Sequence, residues 1–142
     1  MKWYEHRHVV GFEETNLVGN VYYVNHLRWQ GRCRELFLRE HAPSVLKELG
    51  GTLALATVHC SCDYLTELWA FDQIIIKMGL LSAVQNRLSL GFQYYRETAS
   101  GEELVARGKQ DIACLRREGG RATATPIPEE LREALRPYTA GS

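Results

Sequence analysis

The sequence predicts an α+β fold in which a curved antiparallel sheet of five strands wraps around one long helix placed early in the chain. Three observations carry this expectation. The stretch "EETNLVGNVYYVNHLRWQGRCRELFLRE", Glu13 to Glu40, is a tight Gly/Asn turn that runs directly into an amphipathic helical segment. After Gly50-Gly51 the chain becomes apolar, β-leaning or alternating for most of its length. Turn signals such as "TASGEE" separate these runs, as hairpin-connected strands require.

In order, residues 3–12, "WYEHRHVVGF", are aromatic and β-branched and read as the first strand. The long helix follows. "HAPSVLKELGG" gives a short helical turn that stops at Gly50-Gly51. Thr52 to Leu65 and the run "AFDQIIIKMGLL" are the next two strands, with "TELW" as the bend between them. Residues 86–97 alternate, placing Leu88, Leu90, Phe92 and Tyr94 on one face and Arg87, Ser89, Gln93 and Tyr95 on the other. "LVARGKQDIACLRR" returns as a long strand, in which Gly108 marks a bulge or a close approach by a neighbour. A short helix closes the chain after Pro128, with Glu129 and Glu130 near its positive end and Arg132 and Arg136 toward its negative one. No repeat or linker interrupts residues 1–142, so one domain is expected. A lone sheet of this kind leaves its edges open, and a second copy paired across a two-fold axis would cover them.

Seventeen basic and seventeen acidic residues cancel, which argues against a nucleic acid or an anionic membrane recognised by bulk charge. No stretch approaches a membrane span, and a soluble cytoplasmic protein is expected. Cys33, Cys60, Cys62 and Cys114 do not read as a disulfide framework. "HCSC" tempts a metal reading, but no second ligand pair has zinc-type spacing, so neither a metal nor a cofactor is assigned.

The helix holds the first chemical anomaly. Projected at about 100° per residue, Arg28, Arg32, Glu35 and Arg39 share a polar face. Val24, Leu27, Trp29, Cys33, Leu36, Phe37 and Leu38 fill the rest, and Arg34 falls inside that apolar arc, between Phe37 and Leu38. An unpaired guanidinium in a core costs several kcal/mol. Either Arg34 pairs with a strand carboxylate such as Asp63, Asp72 or Asp111, or it faces a cavity. The turn "TNLVGNV" is the second candidate. It ends at a helix N-terminus, where unpaired N–H groups and the helix dipole favour an oxyanion, although these residues taken alone read more simply as an ordinary capped helix start with Gly19 left-handed and Asn16 or Asn20 in the turn. Glu13 and Glu14, on consecutive residues, diverge and do not read as an acid/base pair. No nucleophile elbow or phosphate loop is present.

The run "EETNLVGNVYYVNHLRWQGRCREL", the "DYL" that ends the second strand and the closing "PIPEELREAL" resemble the hotdog-fold thioesterases of the 4-hydroxybenzoyl-CoA type, and within them those that accompany iterative enediyne polyketide synthases. The resemblance implies hydrolysis of a polyunsaturated β-ketoacyl thioester carried by the synthase's acyl carrier protein, with release of a polyene acid, or a methyl ketone after decarboxylation. It also implies a homo-oligomer, a dimer or a dimer of dimers. The acidic residues that many members use are missing: the turn position is Asn16 and the helix position is Gly31. The resemblance marks Asn16 and Arg34 as catalytic, with the Tyr23 backbone N–H as the oxyanion donor. It implies substrate contacts from Gly19, Tyr22, His26, Leu27, Gly31, Leu38, Thr57 and Val58, His26 standing where many relatives have Tyr. Two alternatives remain: an acyl-CoA thioesterase of general metabolism, and a non-catalytic acyl-binding partner of the synthase.

Overall fold

The helix α1 (Val24–His41) lies in the hollow of a curved antiparallel sheet, and its burial follows from its sequence. Trp29, Cys33, Leu36 and Phe37 recur at helical spacing and sink into the core, while Arg28, Arg32, Glu35 and Arg39 stay exposed on the opposite face. The computed structural model describes residues 2–140.

The strands are β1 (Tyr4–Val9), β2 (Leu53–Tyr64), β3 (Gln73–Val84), β4 (Arg87–Thr98), β5 (Gly101–Glu118) and β6 (Arg121–Ala124), with α2 (Pro43–Glu48) after α1 and α3 (Glu129–Leu135) near the end. The order across the sheet is β1-β3-β4-β5-β2, with β6 paired to β5. All pairs are antiparallel. The alternation on β4 is realised: Leu88, Leu90, Phe92 and Tyr94 are all buried against α1.

Two departures from the sequence reading have local causes. The first strand ends at Val9, because Phe12–Glu14 tighten into a 3-10 turn. The sheet has six strands rather than five. β5 outruns β4, whose pairing ends at Ala113, and this leaves Leu115–Glu118 with a free side. Gly119 and Gly120, with φ of +57° and +77°, fold the chain back so that Arg121–Ala124 fill it. Gly108 is a close approach and no bulge: a Cβ there would meet the Gln30 side-chain amide and stand 2.9 Å from the Ser61 carbonyl.

β1 and β2 are the borders of the sheet. Beside β2, Val58, Tyr64 and Leu65 are exposed. A register shift between Thr57 and His59 makes Val58 a bulge residue. The bulge changes which positions face the helix. Before it, Leu53, Leu55 and Thr57 point inward; after it, Cys62 and Tyr64 do. Among the described residues, no helix is long and apolar enough to cross a membrane.

Candidate active site

The turn before α1 is a small hairpin. Asn16 N–H donates to the Asn20 carbonyl (2.9 Å), Gly19 N–H donates to the Asn16 carbonyl (2.9 Å), and Thr15 bridges to Val21. Gly19 has φ of +99° and lies against the Trp69 ring, so the left-handed conformation at the tip calls for glycine. The Asn16 side-chain oxygen accepts from Val18 N–H at 3.0 Å. That Asx turn aims the asparagine and leaves its NH2 group without a partner among the described residues.

The helix start itself is not capped. No side chain accepts from its N–H groups, no acidic residue occupies its first turn, and no main-chain carbonyl among the described residues takes the Tyr23 N–H. The positive end of an 18-residue helix is therefore open to an oxyanion. The Tyr22 and Tyr23 side chains are exposed, their rings 4.9 Å apart, and the Tyr64 hydroxyl donates to the Tyr23 carbonyl at 2.8 Å.

Next to this end lies a cavity of about 300 Å³ lined by Asn20, Tyr23, His26, Tyr64, Glu67 and Leu68. His26 is 4 % exposed, boxed by Trp29, Tyr64 and Tyr94, and among the described residues neither ring nitrogen has a partner at hydrogen-bond geometry. Burial pushes its pKa down to about 4, against a smaller opposing effect of the Tyr23 backbone, so the ring is neutral.

Arg34 forms the other half of the site. Its Nη1 donates to Thr57 Oγ1 (3.0 Å) and to Gln110 Oε1 (3.1 Å). The carboxylates considered for it are absent from its surroundings. Asp72 pairs with Arg96 at 3.2 Å, Asp111 accepts from the Ser89 hydroxyl and faces Lys109 and His59, and Asp63 forms no ion pair among the described residues. Burial lowers the Arg34 pKa, with nearby Glu35 opposing it, yet a guanidinium stays charged. Nε and Nη2 take no partner among the described residues.

Arg34 stands at a threshold. On one side is an open groove of about 870 Å³ along the outer face of α1, bordered by His8, Glu14, Gly31 and Arg34. On the other is an apolar cleft between α1, the sheet and α3, lined by Phe37, Leu55, Leu90, Ile112 and Leu135 and closed to about 10 Å³. Arg34, Leu38 and Leu55 border both. An added Cβ at Gly31 would meet nothing within 4 Å, so the groove widens there.

The structure brings Arg34, Thr57, Leu38 and Gly31 together, and separately groups Tyr23 and His26 beside the turn that carries Asn16. It does not join the two groups in one chain: none of these cavities is lined by both Asn16 and Arg34, and the helix from Tyr23 to Arg34 is about 16 Å long. Leu27 borders none of the three, and Val58 is turned outward by its bulge. Two participants escaped the sequence reading. Gln110, 4 % exposed, is a polar residue in the inward stripe it shares with Ile112 and Cys114, and that break in the pattern was its signal. Glu14 gave none. Its carboxylate accepts from His8 Nε2 and the Trp29 indole, both at 2.7 Å, and from Gly11 N–H at 2.8 Å.

Among the described residues no group of three or more His, Cys, Asp or Glu side chains is placed to hold a metal ion. The four cysteines are free thiols; burial pushes the Cys33 pKa up to about 12, which leaves it unreactive.

The sequence matches the family model of the thioesterase-like superfamily over residues 10–135. No curated protein sequence matches it. Among solved structures, the dynemicin thioesterase, for which induced-fit and allosteric effects upon polyene binding are described, is 45 % identical over 99 % of each chain with a TM-score of 0.93. The 4-hydroxybenzoyl-CoA thioesterase of Pseudomonas sp. strain CBS-3 superposes with a TM-score of 0.81 at 19 % identity, over 94 % of this chain and 99 % of its own. A hypothetical protein from Aquifex aeolicus superposes at 0.82 with 21 % identity, over 93 % and 98 %.

Proposed function

The chain belongs to the thioesterase-like superfamily, has its hotdog fold and is a thioester hydrolase; we propose that it releases a polyunsaturated β-ketoacyl chain from the acyl carrier protein of an iterative enediyne-type polyketide synthase. The observation that carries this reading is Arg34: a half-buried guanidinium without a carboxylate, placed where an open groove meets an apolar cleft. The cleft suits a rod-like hydrocarbon and the groove a carrier arm. Arg34 between them faces the reacting end, where its free N–H groups hold the β-carbonyl or the developing oxyanion. The closed cleft must open to admit a chain, in keeping with the induced fit described for the dynemicin thioesterase.

Water adds to the thioester carbonyl, the C–O bond forms, and the C–S bond breaks with the proton passing to the thiolate. Asn16 orients the water or the carbonyl, and the Tyr23 N–H binds its oxygen. Neither Asn16 nor Gly31 supplies a base. The ketone two carbons away withdraws electron density from the scissile carbonyl, which makes such a modest apparatus sufficient. The β-keto acid then loses carbon dioxide to give a methyl ketone. A second copy of the chain, added along the open β2 edge, would cover that edge.

The test is release from a loaded carrier protein followed by mass spectrometry. Arg34→Ala lowers turnover by about 10²–10³-fold, the usual cost of an oxyanion donor. Equal rates for Arg34→Ala and the unchanged enzyme would overturn the assignment. Equal efficiency on the matching coenzyme A thioester would remove the carrier protein from it.

A further inference from the structure

Glu14 receives more hydrogen bonds than the fold of a surface turn requires. Three reach its carboxylate: from Gly11 N–H and His8 Nε2 to Oε1, and from Trp29 Nε1 to Oε2. Two more reach its carbonyl: from Tyr22 N–H (2.9 Å) and from the buried Asn25 side-chain amide (2.7 Å). The donors come from β1 and from Gly11 two residues beyond it, from the far side of the hairpin, and from α1. Burial alone would raise the Glu14 pKa; the hydrogen bonds from Gly11, His8 and Trp29 outweigh it and hold the carboxyl below its ordinary value. With both oxygens engaged and its pKa held down, this carboxylate is a poor base.

We infer that Glu14 is a positioning residue for hydrolysis, clamping the base of the hairpin so that Asn16 is held at a fixed place relative to the Tyr23 N–H at the start of α1. Glu14 stands two residues before Asn16, and its carbonyl holds Tyr22, the residue before Tyr23. The two groups proposed to meet the thioester therefore hang from the two sides of one clamp. The negative charge is part of the device. An indole N–H and a backbone N–H can only donate, so both oxygens must accept. A glutamine turns one of them into an NH2 group, which faces either the Trp29 indole or the Gly11 N–H, donor against donor.

This inference rests on the role proposed above for Asn16, and the experiment separates the two. Glu14→Gln, Asn16→Ala and the double variant are compared on a short 3-oxoacyl N-acetylcysteamine thioester, with the Trp29 indole N–H resonance recorded for each. Glu14→Gln moves that resonance, lowers kcat at least tenfold and leaves KM within about twofold, because the acyl cleft is lined by other residues. Added to Asn16→Ala, it lowers kcat no further, since it acts through that side chain. A merely structural carboxylate would move the resonance and the melting temperature while the folded enzyme kept its kcat, or its loss would multiply with that of Asn16→Ala; either result overturns the inference. If Asn16→Ala alone hydrolyses as fast as the unchanged enzyme, the underlying reading falls and this one with it. Should Glu14→Gln fail to fold, Trp29→Phe removes one donor and keeps the charge; an unchanged kcat there overturns the inference as well.

Discussion

Replacing His26 with Phe should make the protein less sensitive to acid. The ring is 4 % exposed, neither nitrogen has a partner, and its pKa is pushed down to about 4 from the 6.5 of an exposed histidine. The unfolded chain therefore binds a proton that the folded one refuses throughout that interval. Stability from this group is intact above the unfolded value and is lost as pH falls below it, the loss being complete below about 4. A displacement of about 2.5 units is worth about 3 kcal/mol in full, of which roughly 2 kcal/mol has gone by about pH 5. His6, lowered in the same direction by burial and by the neighbouring His8 and Arg32, contributes to both proteins and drops out of the difference. Phenylalanine also removes two orphaned nitrogens, a gain of about 1 kcal/mol near neutral pH. Urea unfolding of both proteins at about pH 7.5 and about pH 5 measures this. If the two lose the same stability between those conditions, the ring is not held neutral by burial and the reasoning is wrong.

Gly108→Ala should destabilise the protein by about 1–3 kcal/mol, the cost of overpacking, because the new methyl meets the Gln30 amide and the Ser61 carbonyl; an unchanged urea midpoint would refute the close approach. Gln110→Glu keeps the size of the side chain that lies 3.1 Å from Arg34 but gives it a charge. It should turn Arg34 into one half of an ion pair, preserve or raise the melting temperature, and lower kcat at least tenfold; turnover at the original rate would mean that Arg34 need not be unpaired.

What the sequence disclosed and what it withheld divide along the range of the interactions. Arg34 was conspicuous because helical periodicity is local: a charge inside an apolar arc is visible without any strand. The choice between a carboxylate and a cavity was not visible, since it depends on which residues of β2 and β5 face the helix. On β2 that is decided at Val58, where a bulge puts Thr57 on the same face as Cys62 and Tyr64, and simple alternation does not produce this. Glu13 and Glu14 both bring their carboxylates near Gly11, but of the two it is Glu14 that accepts the Gly11 N–H. The 3-10 turn selects the second of them to point inward, toward donors six and fifteen residues away. Gly108 signalled that something came close but not that it was Gln30, a residue on another element. In the turn, by contrast, Gly19 and Asn16 were both legible, because a tight turn is closed by residues within it.

Arg96 shows what Arg34 lacks. Hydrogen bonds from Arg96 to Glu103 and its pairing with Asp72 outweigh burial and raise its pKa, so the positive form is already satisfied when nothing else is bound. Arg34, on α1, has two neutral oxygens for partners, and burial shifts it the other way. The cost of holding that charge is present in the empty protein, where Glu35 offsets only part of it, and negative charge arriving beside the guanidinium offsets more. A ground-state thioester is neutral and offsets little, whereas the tetrahedral oxyanion or an enolate offsets much more. In the function proposed above, the unpaired state would favour the transition state over the substrate, which is the condition for lowering a barrier rather than merely binding. A carboxylate at Thr57 or Gln110 would make the resting protein more comfortable and erase that difference.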